Sequence, residues 1–336
     1  MPTEPAAAPG DRAPTDERVE NPMHDQVAQL PDRGRTIEEV VARALLIPGR
    51  HREFDVPRAM LAKAYAIDAD LLAELLDAGL PHEGGGEELR LNSFDLENVT
   101  VELELNCPNW MLMKTLARAF DGELGKDSSS AYAFRTTGRC PEPGHSGECD
   151  FAPSAMLDAN PGSGEVTWDS PLSFTRRVRL PEEEYWFDDT ARALFEPVHR
   201  LTFHLLPHEL STDVGFARET GLADCRLASH VLLAETRDAG VEVRGASGLI
   251  MAAPFPLQHM WIEVRTADGW TAADPFFLRT LAGWRILDPR VWPEHRSPRR
   301  IYWPIDGAPA PEDIVLVTHR GERASSSSRI VNWQAQ

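Results

Sequence analysis

Positive charge is scarce in this chain. Its 34 lysines and arginines face 53 aspartates and glutamates, a formal charge of -19. A nucleic-acid partner needs a basic footprint to displace counterions from phosphate. Only two short runs, Arg176-Arg177-Val178-Arg179 and Arg299-Arg300, offer one, so no nucleic-acid partner is expected. Long apolar runs are missing too. The most apolar stretches, such as residues 248–256, fall far short of the roughly 20 residues a bilayer crossing needs, so no membrane partner is expected. Residues 1–35 are rich in Ala, Pro, Asp and Arg and hold no continuous apolar segment of the secretory kind. They are expected to be a disordered leader on a cytoplasmic chain, a compartment where thiols stay reduced. What is present is ordinary for a globular protein: 42% hydrophobic and 26% charged residues over 336 positions.

Helical spacing of Ile37, Val40, Val41 and Leu45 predicts a first helix over 36–47. A second helical stretch starts at Pro57 and runs through Met60, Leu61 and Tyr65, and Asp68 is placed to cap a third that ends near Gly79. Apolar residues alternate with acidic ones over 99–105, which predicts a half-buried strand. Residues 110–120 read as a helix, and 165–168 and 173–180 as strands. The apolar stripe Leu194, Phe195, Val198, Leu201 and Leu205 predicts one long helix over 189–206. A helix from Cys225 to about Asp238, stopped by Gly240, is followed by strands at 241–244 and 247–251. Then comes a hairpin: 259–265, a turn at Ala267-Asp268-Gly269, and 270–274. The serine-rich end from Arg320 reads as a mobile tail.

The candidate chemistry lies in Cys225, His259 and Asp274. Cys225 sits where a loop gives way to a helix, a place where unpaired N–H groups and the helix dipole lower a thiol's pKa. His259 can act as base and then acid, and Asp274 can hold its tautomer. If Ala267 and Asp268 are the central turn residues, residue 274 lies opposite Trp261 and His259 is its diagonal neighbour on the same face, roughly 7–8 Å away along the backbone.

The runs Ala223-Asp224-Cys225-Arg226-Leu227, Ala239-Gly240-Val241-Glu242-Val243-Arg244, His259-Met260-Trp261-Ile262-Glu263-Val264, Gly269-Trp270 and Asp274-Pro275 resemble the core of the transglutaminase-like superfamily. The resemblance covers about 90 residues ending at Pro275. It implies a fold in which a helix bearing the cysteine packs on an antiparallel sheet bearing the histidine and aspartate. Cys225, His259 and Asp274 match the family's three catalytic positions in order. One departure is Ala223, where the family usually has glycine two residues before the nucleophile. A second oxyanion donor is unassigned, with Trp186 and His204 as upstream candidates.

Other clusters read more plainly. Cys140, His145 and Cys149 lie in a turn-rich loop and offer three zinc-type ligands, at a spacing that matches no common zinc signature. Asp150 or Cys107 would have to complete a metal site, and a Cys140–Cys149 disulfide is the other alternative to a plain loop. The plain loop is preferred, so no metal and no cofactor are expected. His204 and His208 are four apart with no acidic residue arranged as in a zinc protease, so they read as helix-end histidines. Glu182-Glu183-Glu184 reads as a solvated approach to a helix.

The expected protein is α+β. It has a leader (1–35), an accessory region that is helical and then β-rich (36–180), a transglutaminase-like (papain-like) catalytic domain (181–319) and a tail (320–336). The expected activity is acyl transfer through a Cys225 thioester, cleaving or forming amide bonds in a peptide, amide or acyl-thioester substrate. Three alternatives share the residues: an acyltransferase fed by a carrier thioester, an acetyl-transfer enzyme like arylamine N-acetyltransferases, and a non-enzymatic peptide-binding module.

Overall fold

The computed structural model describes residues 35–124 and 131–331. Nearly all of the segment read as a leader, and the last five residues of the segment read as a tail, lie outside the described residues. No helix among the described residues is long and apolar enough to cross a membrane.

The chain begins with a small helical layer. Helix α1 (Ile37–Ala44) starts at a capping box in which Thr36 and Glu39 bond each other's backbone. Strand β1 (Val56–Pro57) and α2 (Leu61–Tyr65) follow, then α3 (Ala69–Asp77), capped by Asp68 as its sequence predicts. Strands β2 (His82–Glu83) and β3 (Arg90–Leu91) complete a three-stranded sheet with β1. Next come α4 (Ser93–Glu102) and α5 (Pro108–Leu124).

Helix α4 corrects the strand expected over 99–105. It is buried over Asp95, Leu96 and every residue from Asn98 to Glu102, so its sequence shows no single apolar face for a helical period to reveal. Its polar groups are paired inside. Asp95 meets Arg52 at 2.9 Å, Asn98 accepts the Leu205 N–H at 2.7 Å, and Glu102 takes Arg35 and Arg43.

Four strands follow: β4 (Ala131–Gly138), β5 (Phe151–Pro153), β6 (Ser163–Ser170) and β7 (Ser173–Arg179). The long helix expected over 189–206 is broken into α6 (Asp189–Ala193), a 3-10 turn (Glu196–Arg200) and β8 (Thr202–Phe203). Pro197 explains the break, because it has no N–H to give and its ring crowds the preceding turn. Helix α7 (Val214–Thr220) ends at Gly221 in the left-handed region (φ 71°), and β9 (Leu222–Ala223) then pairs in parallel with β8.

Helix α8 (Cys225–Glu235) packs on β10 (Val243–Ile250) and β11 (Leu257–Thr266). The two strands expected at 241–244 and 247–251 are one continuous strand, since Gly245 keeps its place opposite Ile262. Strand β12 (Gly269–Ala273), α9 (Pro275–Gly283) and β13 (Tyr302–Pro304) follow, and the antiparallel order of the central sheet is β12-β11-β10-β13. The chain closes with β14 (Val317–His319), β15 (Glu322–Arg323) and β16 (Ser326–Val331).

Strand β16 corrects the mobile-tail reading for 326–331. It forms the edge of a β16-β4-β7-β6 sheet, with Ser328 Oγ bonded to Thr136 Oγ1 at 2.9 Å. Small hydroxyl side chains pair a strand as well as apolar ones do when one face meets solvent, but they carry no apolar alternation. Another sheet, β15-β14-β5, joins the end of the chain to its middle.

The main core crosses the boundary drawn at residue 180. Trp110 packs edge-on to Trp284 (5.8 Å), Phe120 to Trp292 (5.0 Å), and Phe134 lies 6.1 Å from Trp303. Residues 108–180 therefore share a core with the sheet that carries His259, and the fold as a whole is α+β.

Candidate active site

Cys225 is the first residue of α8. The preceding Asp224 caps the helix, its Oδ1 accepting the Leu227 N–H at 2.8 Å. The β8–β9 pairing anchors the approach, with the Ala223 carbonyl accepting the His204 N–H at 2.9 Å. Ala223 is fully buried there, so alanine at this departure from the family pattern is accommodated.

His259 stands on β11 and Asp274 just past β12. The observed register pairs Ile262 with Ala273 and Thr266 with Gly269, which puts position 274 opposite Trp261. This is the register expected from the turn, and Gly269 takes the positive φ (112°) that the turn demands. His259 is then the diagonal neighbour, and its Nε2 reaches Asp274 Oδ2 at 2.6 Å. Asp274 Oδ1 meanwhile accepts the Phe277 N–H at 3.3 Å and so caps α9, whose first residue is Pro275. One carboxylate therefore orients the imidazole and is itself fixed by a helix.

Tyr302, on β13, was not found in the sequence. Its hydroxyl donates to Asp274 Oδ2 at 2.7 Å from a fully enclosed position. The imidazole of His259 lies among aromatic rings: Phe277 at 5.1 Å, Tyr302 at 5.6 Å and Trp261 at 6.1 Å. Gly248 permits this packing from the neighbouring strand. It pairs with His259, and a Cβ there would fall 2.1 Å from the Trp303 carbonyl oxygen and 2.6 Å from the Trp261 ring.

Electrostatics overturn the expectation of a ready thiolate. Burial pushes the Cys225 thiol well above its ordinary pKa, and the carboxylates of Asp274 and Asp224 push the same way against the sulfur's own backbone amide. Burial also raises Asp224 to about 7, although Arg226 and His259 oppose it. Tyr302 is raised by burial and by the charge of Asp274. Burial and the nearby carboxylates thus favour the protonated forms of Cys225 and Tyr302.

The two candidate oxyanion donors stand in different surroundings. Trp186 is 46% exposed, with Arg296 over its ring at 5.3 Å. His204 is buried with Nδ1 3.4 Å from Glu102 Oε1. His208 is exposed and lies 3.4 Å from Glu312, which also pairs with Arg226 next to the cysteine. Glu184 is not merely solvated, because it binds Arg296 at 2.7 Å. Cys107 is buried in the main core, and the sulfurs of Cys140 and Cys149 are not joined in a disulfide.

A helix-borne cysteine, a strand-borne histidine and a capping aspartate, set on one antiparallel sheet, define the class of the site. Residues 174–275 match the pattern of the Transglut_core family, described as the transglutaminase-like superfamily. The match bears out the resemblance carried by the sequence and supports a cysteine-dependent enzyme in general. A solved structure titled "a Putative Cysteine Protease from Cytophaga hutchinsonii" is similar over 60% of this chain and 86% of that one, at 11% identity and a TM-score of 0.28. No curated protein was found to match the chain.

Proposed function

We propose that the protein is a cysteine-dependent acyl-transfer enzyme that cleaves or forms amide bonds through a thioester on Cys225. The observation that carries this reading is the 2.6 Å bond between His259 Nε2 and Asp274 Oδ2, beside the helix that starts at Cys225. With Nε2–H donated to the carboxylate, Nδ1 is left as the ring nitrogen that takes a proton.

In the proposed cycle His259 Nδ1 removes the Cys225 proton as the sulfur attacks the acyl carbon. The tetrahedral intermediate collapses, the bond to the leaving amine or thiol breaks, and the leaving group departs with the proton held by His259. Asp274 stabilises the transient imidazolium without taking its proton. Water or an amine then gives its proton to His259 and attacks the thioester, which returns Cys225 as the thiol. The backbone N–H of Cys225 supplies one donor to the oxyanion. Burial and the nearby carboxylates favour the protonated thiol, so His259 is assigned the removal of its proton in the first step.

Intact-mass analysis of the full chain against amide, ester and thioester donors tests the proposal. An acyl adduct on the wild-type protein that is absent in Cys225→Ala and nearly undetectable in folded His259→Ala is the expected result. Near-normal acylation of folded His259→Ala would sink the mechanism. Absence of any adduct with every donor class, alongside retained peptide binding, would favour a binding module on the same fold.

A further inference from the structure

We propose that Cys140, His145, Cys149 and His319 form a structural zinc site. The sequence offers three of these ligands at 140–149. The fold supplies the fourth from a position 170 residues beyond Cys149. Strand β5 pairs with β14 so that Phe151 faces His319, which brings the histidine beside the end of the 139–150 loop.

The loop turns back on itself at Gly144 and Gly147, both with positive φ (92° and 87°). His145 Nε2 comes to 3.5 Å from Cys149 Sγ, and the His145 and His319 rings lie 5.2 Å apart. One ligand atom from each of the four residues lies within 4.8 Å of all the others. His319 is only 5% exposed, and its Nε2 is enclosed with no hydrogen-bond partner among the described residues. Such a nitrogen is costly unless something binds it.

The donor set selects the metal. Two thiolates and two imidazoles suit a tetrahedral zinc ion, and the two sulfur charges neutralise the dication. Zinc–ligand bonds of about 2.0–2.3 Å put neighbouring ligand atoms about 3.3–3.8 Å apart, so small side-chain movements close the geometry. Binding through His145 Nε2 leaves the ring proton on Nδ1, where the Ser146 carbonyl lies 3.1 Å away to accept it. Arg320 Nη2 lies 2.8 Å from this Nδ1 and also donates to the Ser146 carbonyl at 3.1 Å, so the carbonyl can keep the guanidinium when the ring nitrogen carries its proton.

Four protein ligands leave no open position, which marks the site as structural. It has a clear task. The local apolar cluster holds only Phe151, Phe174, Val317 and Ala324 as buried members, little to order a turn-rich loop. The metal would tie that loop to the β14–β15 hairpin. Arg323 and Ala324, at the end of this hairpin, line a cavity of about 710 Å³ together with Leu257 and Gln258, the residues that precede His259. Loss of zinc would therefore loosen a wall of this cavity without removing any group of the triad.

The test uses the full chain purified under reducing conditions without chelator. About one equivalent of zinc per chain is expected. After removal of zinc by chelator, cobalt(II) should give the visible bands of a tetrahedral ion and a near-ultraviolet thiolate band, both lost on adding zinc. Cys140→Ser should roughly halve the thiolate band, in proportion to the thiolates bound. His319→Ala should abolish stoichiometric binding. Because that variant removes a buried side chain, the cobalt spectrum of the wild-type protein decides. Chelation should also speed proteolytic cutting within 141–148 by at least about tenfold. Zinc below about 0.2 equivalents both as purified and after zinc dialysis would overturn the proposal. So would an octahedral cobalt spectrum without a thiolate band, or recovery of a Cys140–Cys149 disulfide.

Discussion

Tyr302 and His259 converge on the same oxygen of Asp274, at 2.7 and 2.6 Å. The tyrosine comes from β13, at the opposite edge of the sheet from β12, and reaches the carboxylate across the face of the sheet. It gives Asp274 a second charge-assisted bond and limits the rotation that would release the imidazole.

Tyr302→Phe should therefore slow turnover without weakening substrate binding. The ring packing against Trp261 (4.8 Å) and Phe120 (6.3 Å) is retained, so the fold should survive. A bond to a charged group is worth about 1.5–3 kcal/mol, and partial compensation by water makes a loss of about tenfold in kcat the expected result. Steady-state kinetics check it. An unchanged kcat, or a change confined to KM, would remove Tyr302 from the positioning of the triad.

The thiol of Cys225, a partly exposed residue, should resist ionisation. Its pKa is raised by burial and by Asp274 and Asp224, so its alkylation by iodoacetamide should be slow at neutral pH and keep rising beyond pH 9. Rate against pH, read by peptide mass spectrometry, tests this. A plateau reached below about pH 7 would mean a stable thiolate in the resting enzyme.

Gly248 should tolerate no side chain. Alanine would press its methyl on the Trp303 carbonyl, the Trp261 ring and Pro304 Cα, two of them backbone groups that cannot swing away. Overpacking of this kind costs typically about 1–3 kcal/mol. Urea unfolding of Gly248→Ala should show a loss near the upper end of that range. A loss below about 0.5 kcal/mol would mean that the strands part more easily than their packing suggests.

What the sequence disclosed and what it hid follow the range of the forces involved. The register that brings His259 to Asp274 was legible because the two-residue turn Ala267-Asp268, followed by Gly269, sets it locally. The start of α8 was legible for a similar reason: Asp224 is a capping residue next to Cys225. Helix α4 was hidden because burial on nearly all sides erases the amphipathic period, and its buried acids looked like a solvent face. The break in the helix expected over 189–206 lies under an unbroken apolar stripe, and Pro197 within it carries the only signal, its missing N–H. Tyr302 and His319 were hidden because sheet pairing brings them in from distant sequence, and each alone is an ordinary core aromatic or histidine. The low thiol pKa expected of a helix start was overturned by burial and two nearby carboxylates, which the linear pattern does not report.

Asp224 gives the sharpest dependence on pH. Its carboxyl is raised from about 3.8 to about 7 by burial, while its oxygen caps α8. In the unfolded chain it loses its proton near its ordinary value. Between those two values the folded protein holds a proton that the unfolded chain has released, so this residue's contribution to stability falls as pH rises through the window. The slope is at most about 1.4 kcal/mol per pH unit, and it vanishes above the folded value, where both states are ionised. Asp224→Asn keeps an oxygen for the Leu227 N–H and removes the titration. Its stability relative to wild type should improve from pH 5 to pH 7.5, by at least about 1 kcal/mol in urea unfolding at each pH. The same substitution removes one of the charges that raise Cys225, so alkylation of the thiol should also quicken at pH 8. Parallel stability curves for the two proteins would show that Asp224 ionises normally in the folded state. An unchanged alkylation rate would show that burial and Asp274 alone set the thiol.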